Sequence, residues 1–256
     1  MHRPRKRFGQ HFLHDQTIID RILRALAPEP GEDIVEIGPG QGALTWPLLK
    51  ICQRLTAIEL DRDLVPLLQQ KSVNLGDLNV INDDILEFRL ESLASPGPFR
   101  LIGNLPYNIS TPLMFHLLES IALIDDMHFM VQKEVALRIV AAPGDSLYGR
   151  LSVMLQYRCQ CQYLFEVPPS SFTPPPKVDS AVIRLLPLDG PAEDVGDHAV
   201  FASIVQAAFG QRRKTISNSL KGLVPREVIL ASGIDPGLRA ENLAIADFAK
   251  LSRASQ

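Results

Sequence analysis

Long uninterrupted apolar runs are missing from this 256-residue chain: the first hydrophobic segment is broken by Asp20, Arg21 and Arg24. Neither a membrane span nor a signal peptide is therefore expected behind the basic Arg3, Arg5, Lys6 and Arg7, and a cytoplasmic location follows. Cysteine is scarce. Three residues cannot build a disulfide framework, and Cys159 and Cys161 have neither the spacing nor the companion ligands of a zinc site, so no metal is expected. Positive charge is not in excess either. A formal net charge of -3 excludes indiscriminate coating of nucleic acid but leaves room for local basic patches. What is present is 46% hydrophobic content, on a length that suits one large domain or a main domain with a small one.

Between Asp33 and about Leu186, short apolar runs alternate with longer helix-like segments. This is the pattern of an α/β fold, a Rossmann-like, seven-stranded and mostly parallel sheet. The spacing predicts strands near 33–37, 55–59, 78–81, 99–103 and 127–132, with helices starting near Gln41, Asp61, Ser110 and Lys133. Asp15 is placed to cap an earlier helix whose Ile18, Ile19, Ile22, Leu23 and Leu26 share one side. Two late strands are expected within 151–165 and 178–186, joined by a stiff loop containing Pro168, Pro169 and Pro174 to Pro176. A loop that rigid holds what it carries at fixed geometry, and Phe172 is the side chain it would present. Residues 188–197 read as a linker of turn formers and acids. Beyond it Val200, Phe201, Ile204, Val205, Ala208 and Phe209 share a helical face, with Gly210 as a stop. The expected domains are 1–187, carrying the sheet, and 188–256, small and all-helical.

Four features carry chemistry. Val35-Glu36-Ile37-Gly38-Pro39-Gly40-Gln41-Gly42 reads as a strand entering a glycine turn, where backbone can approach a nucleoside closely. The third glycine comes one residue too early for a dinucleotide fingerprint. Glu59 closes the next strand about 20 residues after the glycines, where a carboxylate can accept both ribose hydroxyls. Asp83 and Asp84 follow another strand. Asp84 is the better placed to accept the amino hydrogen of a cofactor's adenine, although either acid could simply cap a helix. The last is Asn104-Leu105-Pro106-Tyr107, which ends a hydrophobic strand. The Asn104 amide oxygen and the Leu105 carbonyl can accept both hydrogens of an adenine amino group, while Tyr107 offers a ring to lie against. All four features stand at the carboxyl ends of successive parallel strands, where open α/β sheets bind ligands. Together they favour a sheet of the class I S-adenosylmethionine-dependent methyltransferases over a dehydrogenase.

At this point the residues resemble the ribosomal RNA adenine N6,N6-dimethyltransferases, in particular the small-subunit branch. The resemblance spans most of the chain. It rests on Arg5 to Leu13, Val35 to Gly40, Ile58 to Asp61, Asn104 to Leu113, Gln132 to Val135, Tyr148 to Val153, Phe172 to Ser180 and Arg212 to Thr215. The Asn-Leu-Pro-Tyr phrase is shared with wider adenine methylases; the proline loop and the surroundings of Arg150 are narrower signals.

The resemblance implies S-adenosylmethionine as cofactor, with contacts at His11, Leu13, Gly38, Glu59, Asp84 and Asn104. The family often carries asparagine at the position of His11, so this contact and that of Leu13 are expected through the backbone. Tyr107 and Phe172 would sandwich a flipped base. RNA is expected at Arg5, Lys6, Arg7, Arg150, Lys177, Arg212, Arg213 and Lys214. Eight basic and eight acidic side chains between 187 and 256 point to recognition of a folded RNA by shape. The implied substrate is two adjacent adenosines in a hairpin loop near the 3′ end of 16S RNA, in the 30S subunit or its precursor, acted on by a monomer. The alternatives are a large-subunit RNA adenine N6-methyltransferase and a non-catalytic assembly factor on the same fold.

Overall fold

The computed structural model describes residues 10–95 and 97–256; Arg5, Lys6 and Arg7 lie outside the described residues. The chain divides into two compact units. One comprises residues up to 136 together with 161–187; the other comprises 137–160 together with 188–256. The second unit thus joins 137–160 to 188–256.

In the first unit, the strap β1 (Phe12–Leu13) leads into α1 (Gln16–Leu26). Asp15 caps α1, its carboxylate accepting the Thr17 and Ile18 amides, and Ile18, Ile19, Ile22 and Leu26 are buried as the periodicity requires. The sheet contains β2 (Ile34–Ile37), β3 (Arg54–Ile58), β4 (Asp77–Ile81), β5 (Phe99–Asn104), β6 (Ile124–Gln132), β7 (Cys159–Val167) and β9 (Ser180–Pro187). Its order is β4-β3-β2-β5-β6-β9-β7. The β2–β3, β3–β4, β2–β5 and β5–β6 pairs are parallel and β6–β9 is antiparallel. The chain winds outward from β2 to β4, then returns to place β5 on the other side of β2. That reversal opens a crevice at the carboxyl ends of β2 and β5.

Helices α2 (Thr45–Cys52) and α3 (Val65–Ser72) start four residues later than expected. For α2 the cause is local: Gly38, Gly40 and Gly42 all take positive φ, so the backbone through 42 is a turn that helical geometry cannot enter. Helix α4 (Ser110–Glu119) follows the Asn104–Tyr107 turn, and α5 (Lys133–Val140) follows β6. A two-residue strand, β8 (Phe172–Thr173), pairs antiparallel with β1.

The expected strand over 151–165 is corrected. Residues Arg150–Gln156 form α6, and only from Cys159 does the chain extend. A short apolar run does not distinguish helix from strand by itself. Here Ser152 decides, its Oγ accepting the Gly149 amide and donating to the Arg138 carbonyl.

In the second unit, α7 (His198–Gly210), α8 (Ile216–Ser219), α9 (Arg226–Ala231) and α10 (Ile245–Ala254) bury Phe201, Ile204, Val205, Ile229 and Phe248. Asp197 caps α7. The stretch 188–197 is held more firmly than a linker: Leu188 and Ala192 donate to the Arg158 and Tyr157 carbonyls, and Val195 is buried. Among the described residues no helix is long and apolar enough to cross a membrane.

Candidate active site

A cleft of about 360 Å³ opens at the carboxyl ends of β2, β3 and β5, a volume that suits a small-molecule site. It is lined by His11, Leu13, Gly38, Glu59, Asp84, Asn104, Leu105 and Tyr107, which are separated by up to 96 positions in sequence.

The glycine turn starts where the Gly38 amide donates to the Ile58 carbonyl, tying the end of β2 to that of β3. Glu59 is buried beside it. One of its carboxylate oxygens accepts the Gly40 amide at 3.0 Å and the other accepts the Asp61 amide at 2.8 Å. The carboxylate cannot rotate without losing both amides. Asp84 is half-buried, one oxygen accepting the Leu86 amide at 2.9 Å, whereas Asp83 is exposed and caps the Asp84 amide.

Asn104 already has a partner within the protein. Its Nδ2 donates to the His11 carbonyl at 2.8 Å. Since that carbonyl can only accept, the orientation of the amide is settled, and Oδ1 is the atom left to accept from a ligand. The Leu105 amide donates to the Met130 carbonyl, while no described group donates to the Leu105 carbonyl. Tyr107 is half-buried, its hydroxyl 2.7 Å from Ser180 Oγ, and burial pushes the phenol above its usual range.

A profile described as ribosomal RNA adenine dimethylase matches residues 1–256. The chain belongs to this family. It is accordingly an S-adenosylmethionine-dependent adenine methyltransferase of ribosomal RNA. Ribosomal RNA small subunit methyltransferase A of Xylella fastidiosa is 53% identical over 252 residues, covering 98% of this chain and 95% of that protein. The enzyme of the same name from Alcanivorax borkumensis is 52% identical over 256 residues, covering 100% and 91%. Among solved structures, a dimethyladenosine transferase from Plasmodium falciparum superposes with a TM-score of 0.78 at 26% identity, covering 94% of this chain and 96% of that one. The 23S rRNA methyltransferase ErmE superposes at 0.73 and 27% identity, covering 95% and 99%.

One expected site residue of the dimethylase is not where the sequence suggested. Phe172 is only 2% exposed and does not line the cleft. It pairs with Leu13 in the β1–β8 ladder and joins the core cluster that includes Ile18, Ile22, Met130 and Val182. The ladder turns the ring inward, so it does not face Tyr107. The ring that does is His11, its centroid 5.6 Å from that of Tyr107 with 27° between the planes. Phe172→Ala is therefore expected to cost about 3–5 kcal/mol of folding stability, the usual cost of emptying a buried phenylalanine site. Cofactor affinity should fall along with turnover, because Leu13 of β1 loses the ring in its core cluster. Denaturant titration checks this, and an unchanged midpoint would show that the ring is not a core residue.

Residues overlooked at the sequence level complete the cleft. Gln10 Nε2 donates to Asp61, holding the strap across the mouth. The Pro174 carbonyl lies 2.7 Å from His11 Nδ1. Ser180 is fully buried where it meets Tyr107. Glu36 carried a signal, an acid inside an otherwise apolar strand. It lines the cleft, is buried, and accepts Thr45 Oγ1–H at 2.6 Å. Of the expected RNA contacts, Lys177 is exposed on the proline loop. Arg150 opens α6, while Arg212, Arg213 and Lys214 lie in the exposed turn after α7.

Burial pushes the Glu36 carboxyl up to about 8, against the lowering effect of Thr45, and nearby Glu59 adds to the rise. From about pH 4.5 to 8 the unfolded chain has released a proton that the folded chain retains, so this group makes stability fall as pH rises across that window. Glu36→Gln keeps an acceptor for Thr45 and removes the ionisation. Its thermal midpoint is expected to decline less than the wild type's between pH 5 and 8.5, and parallel declines would refute the assignment.

Proposed function

We propose that this chain dimethylates N6 of two adjacent adenosines in a hairpin loop near the 3′ end of 16S RNA, acting as a cytoplasmic monomer on the 30S subunit or its precursor. The observation that carries the chemistry is the Asn104 amide, turned by the His11 carbonyl so that Oδ1 is left to accept, one residue before a Leu105 carbonyl to which no described group donates. Two acceptors one residue apart take the two hydrogens of an exocyclic amine. The names of the relatives that are more than 50% identical support the small subunit as the source of the RNA.

The site fits its cofactor. Glu59 would hold the ribose hydroxyls, Asp84 the adenine amino group, and the turn at Gly38 and the backbone of His11 and Leu13 the methionine end. When bound, S-adenosylmethionine supplies a methyl group on a sulfonium. An adenine N6 is a weak nucleophile because its lone pair is delocalised into the ring. By accepting the amine hydrogens, Asn104 Oδ1 and the Leu105 carbonyl favour a pyramidal nitrogen and aim its lone pair, a positioning effect worth about 7 kcal/mol in favourable cases. Tyr107 supplies a stacking face for a base taken out of its helix. Methylation makes the nitrogen's remaining hydrogen acidic, so it leaves to solvent without a strong base. Arg150, Lys177, Arg212, Arg213 and Lys214 would meet RNA phosphates, with Arg5, Lys6 and Arg7 adding to them.

Action on large-subunit RNA is the second reading, supported by the likeness to ErmE. Labelled S-adenosylmethionine, undermethylated 30S particles and 50S particles separate the two. Label in N6,N6-dimethyladenosine from 30S alone is the expected result. Label from 50S alone would replace the proposal with the second reading, and label only in cytosine or protein would end both.

A further inference from the structure

Tyr107 already has an aromatic neighbour. His11 lies against one of its faces, with ring centroids 5.6 Å apart and planes 27° from parallel. Two rings that sandwich a base must stand about 7 Å apart, twice a contact distance, so no base fits between these two as they are. Nor does a second protein ring compete for Tyr107 from the proline loop, because Phe172 is turned into the core.

His11 is held in two ways that differ in strength. Its backbone is fixed: the carbonyl accepts from Asn104 Nδ2 at 2.8 Å, and the following residues are laddered to β8. Its side chain has a single hydrogen bond, Nδ1–H to the Pro174 carbonyl at 2.7 Å, on an exposed proline. A carbonyl at the surface exchanges such a donor for water at little cost. The strap can therefore stay in place while the imidazole swings off Tyr107.

We infer that the His11 imidazole is a displaceable stand-in for the acceptor base, covering Tyr107 until RNA delivers an adenine that stacks better. This rests on the reading that Tyr107 receives the acceptor base, and it adds a residue that sets how readily a base is admitted. An imidazole has less stacking surface than a purine and no amino group for Asn104 and Leu105 to grip. A correct base therefore displaces it, and a base lacking that amine gains less from doing so. The Tyr107 hydroxyl stays tied to buried Ser180, so the platform does not move when its cover leaves.

The test measures base binding with the cofactor pocket filled. Adenosine 5′-monophosphate is titrated by calorimetry into wild type, His11→Ala and His11→Asn, each saturated with S-adenosylhomocysteine. Both variants lack the ring, and the asparagine variant keeps a donor for Pro174 should the alanine variant fold poorly. Each is expected to bind the nucleotide roughly three- to ten-fold more tightly than wild type, the size of a lost aromatic pair. Adding Tyr107→Ala should abolish the gain. Equal or weaker binding in the ring-less variants would overturn the inference, since His11 would then be a permanent wall or a bystander. Turnover of the wild type on undermethylated 30S particles is measured alongside. If wild type methylates adenosine and the gain is absent, the stand-in alone fails; if it does not, the functional reading fails and the inference falls with it.

Discussion

Asn104→Ala should lower the rate of methyl transfer at least about a hundred-fold, the scale seen when one preorganised polar group aimed at a reacting atom is removed. Two functions leave with this side chain. Oδ1 no longer accepts an amine hydrogen, and Nδ2 no longer holds the His11 carbonyl, so the strap over the cleft loosens. Asn104→Asp separates them. The carboxylate keeps an acceptor but cannot donate to His11, and it faces that carbonyl with like charge. Its cofactor affinity is therefore expected to fall as far as that of the alanine variant, while its single-turnover rate at saturating cofactor falls less. Single-turnover assays on undermethylated 30S particles, with cofactor titrations alongside, measure both quantities. An alanine variant within a few-fold of wild type in rate would remove Asn104 from the chemistry.

Gly103→Ala is expected to be nearly as damaging without touching any ligand. A Cβ at Gly103 would lie 2.5 Å from the Ile37 carbonyl oxygen and 3.2 Å from Leu105 Cδ2. The first of these is backbone in a central parallel pair, so the strands must separate. Ile37 directly precedes the glycine turn and Gly103 directly precedes Asn104. Spreading β2 from β5 therefore moves the cofactor's cradle away from the groups that hold the amine. Overpacking of this kind costs about 1–3 kcal/mol of stability. A misplacement approaching 1 Å between reacting groups costs about a hundred-fold in rate. Turnover should thus fall much further than the denaturation midpoint indicates, while the protein remains folded. A variant with wild-type turnover would show that the two strands can spread without disturbing the site.

Much of the fold was legible. The expected strands near 33–37, 55–59, 78–81, 99–103 and 127–132 correspond to β2 to β6; the reason is plainest for β2 and β5, since a parallel strand buried on both faces must be a short apolar run, whereas the edge strand β4 has no buried residue and was placed by the alternation of elements. The turn glycines and Glu59 were legible for a related reason: positive φ and a carboxylate at a strand end each leave few residue types to choose from. The segment 151–156 misled because its apolar residues suit either element, and a hydroxyl bonded across the unit selected the helix. Phe172 misled because a proline loop advertises rigidity but not the direction of its side chains; pairing of β8 with β1 set that direction.

Sequence alone therefore determined the alternation of strands and helices, the family, and which residues end the strands, since these follow from periodicity and from motifs that are local in the chain. Only the tertiary structure decided which way the Asn104 amide points, that His11 rather than Phe172 lies on Tyr107, and that Ser180 steadies the ring. Each of those contacts joins residues more than 70 positions apart, and hydrogen-bond direction and ring facing depend on where the folded backbone places both partners.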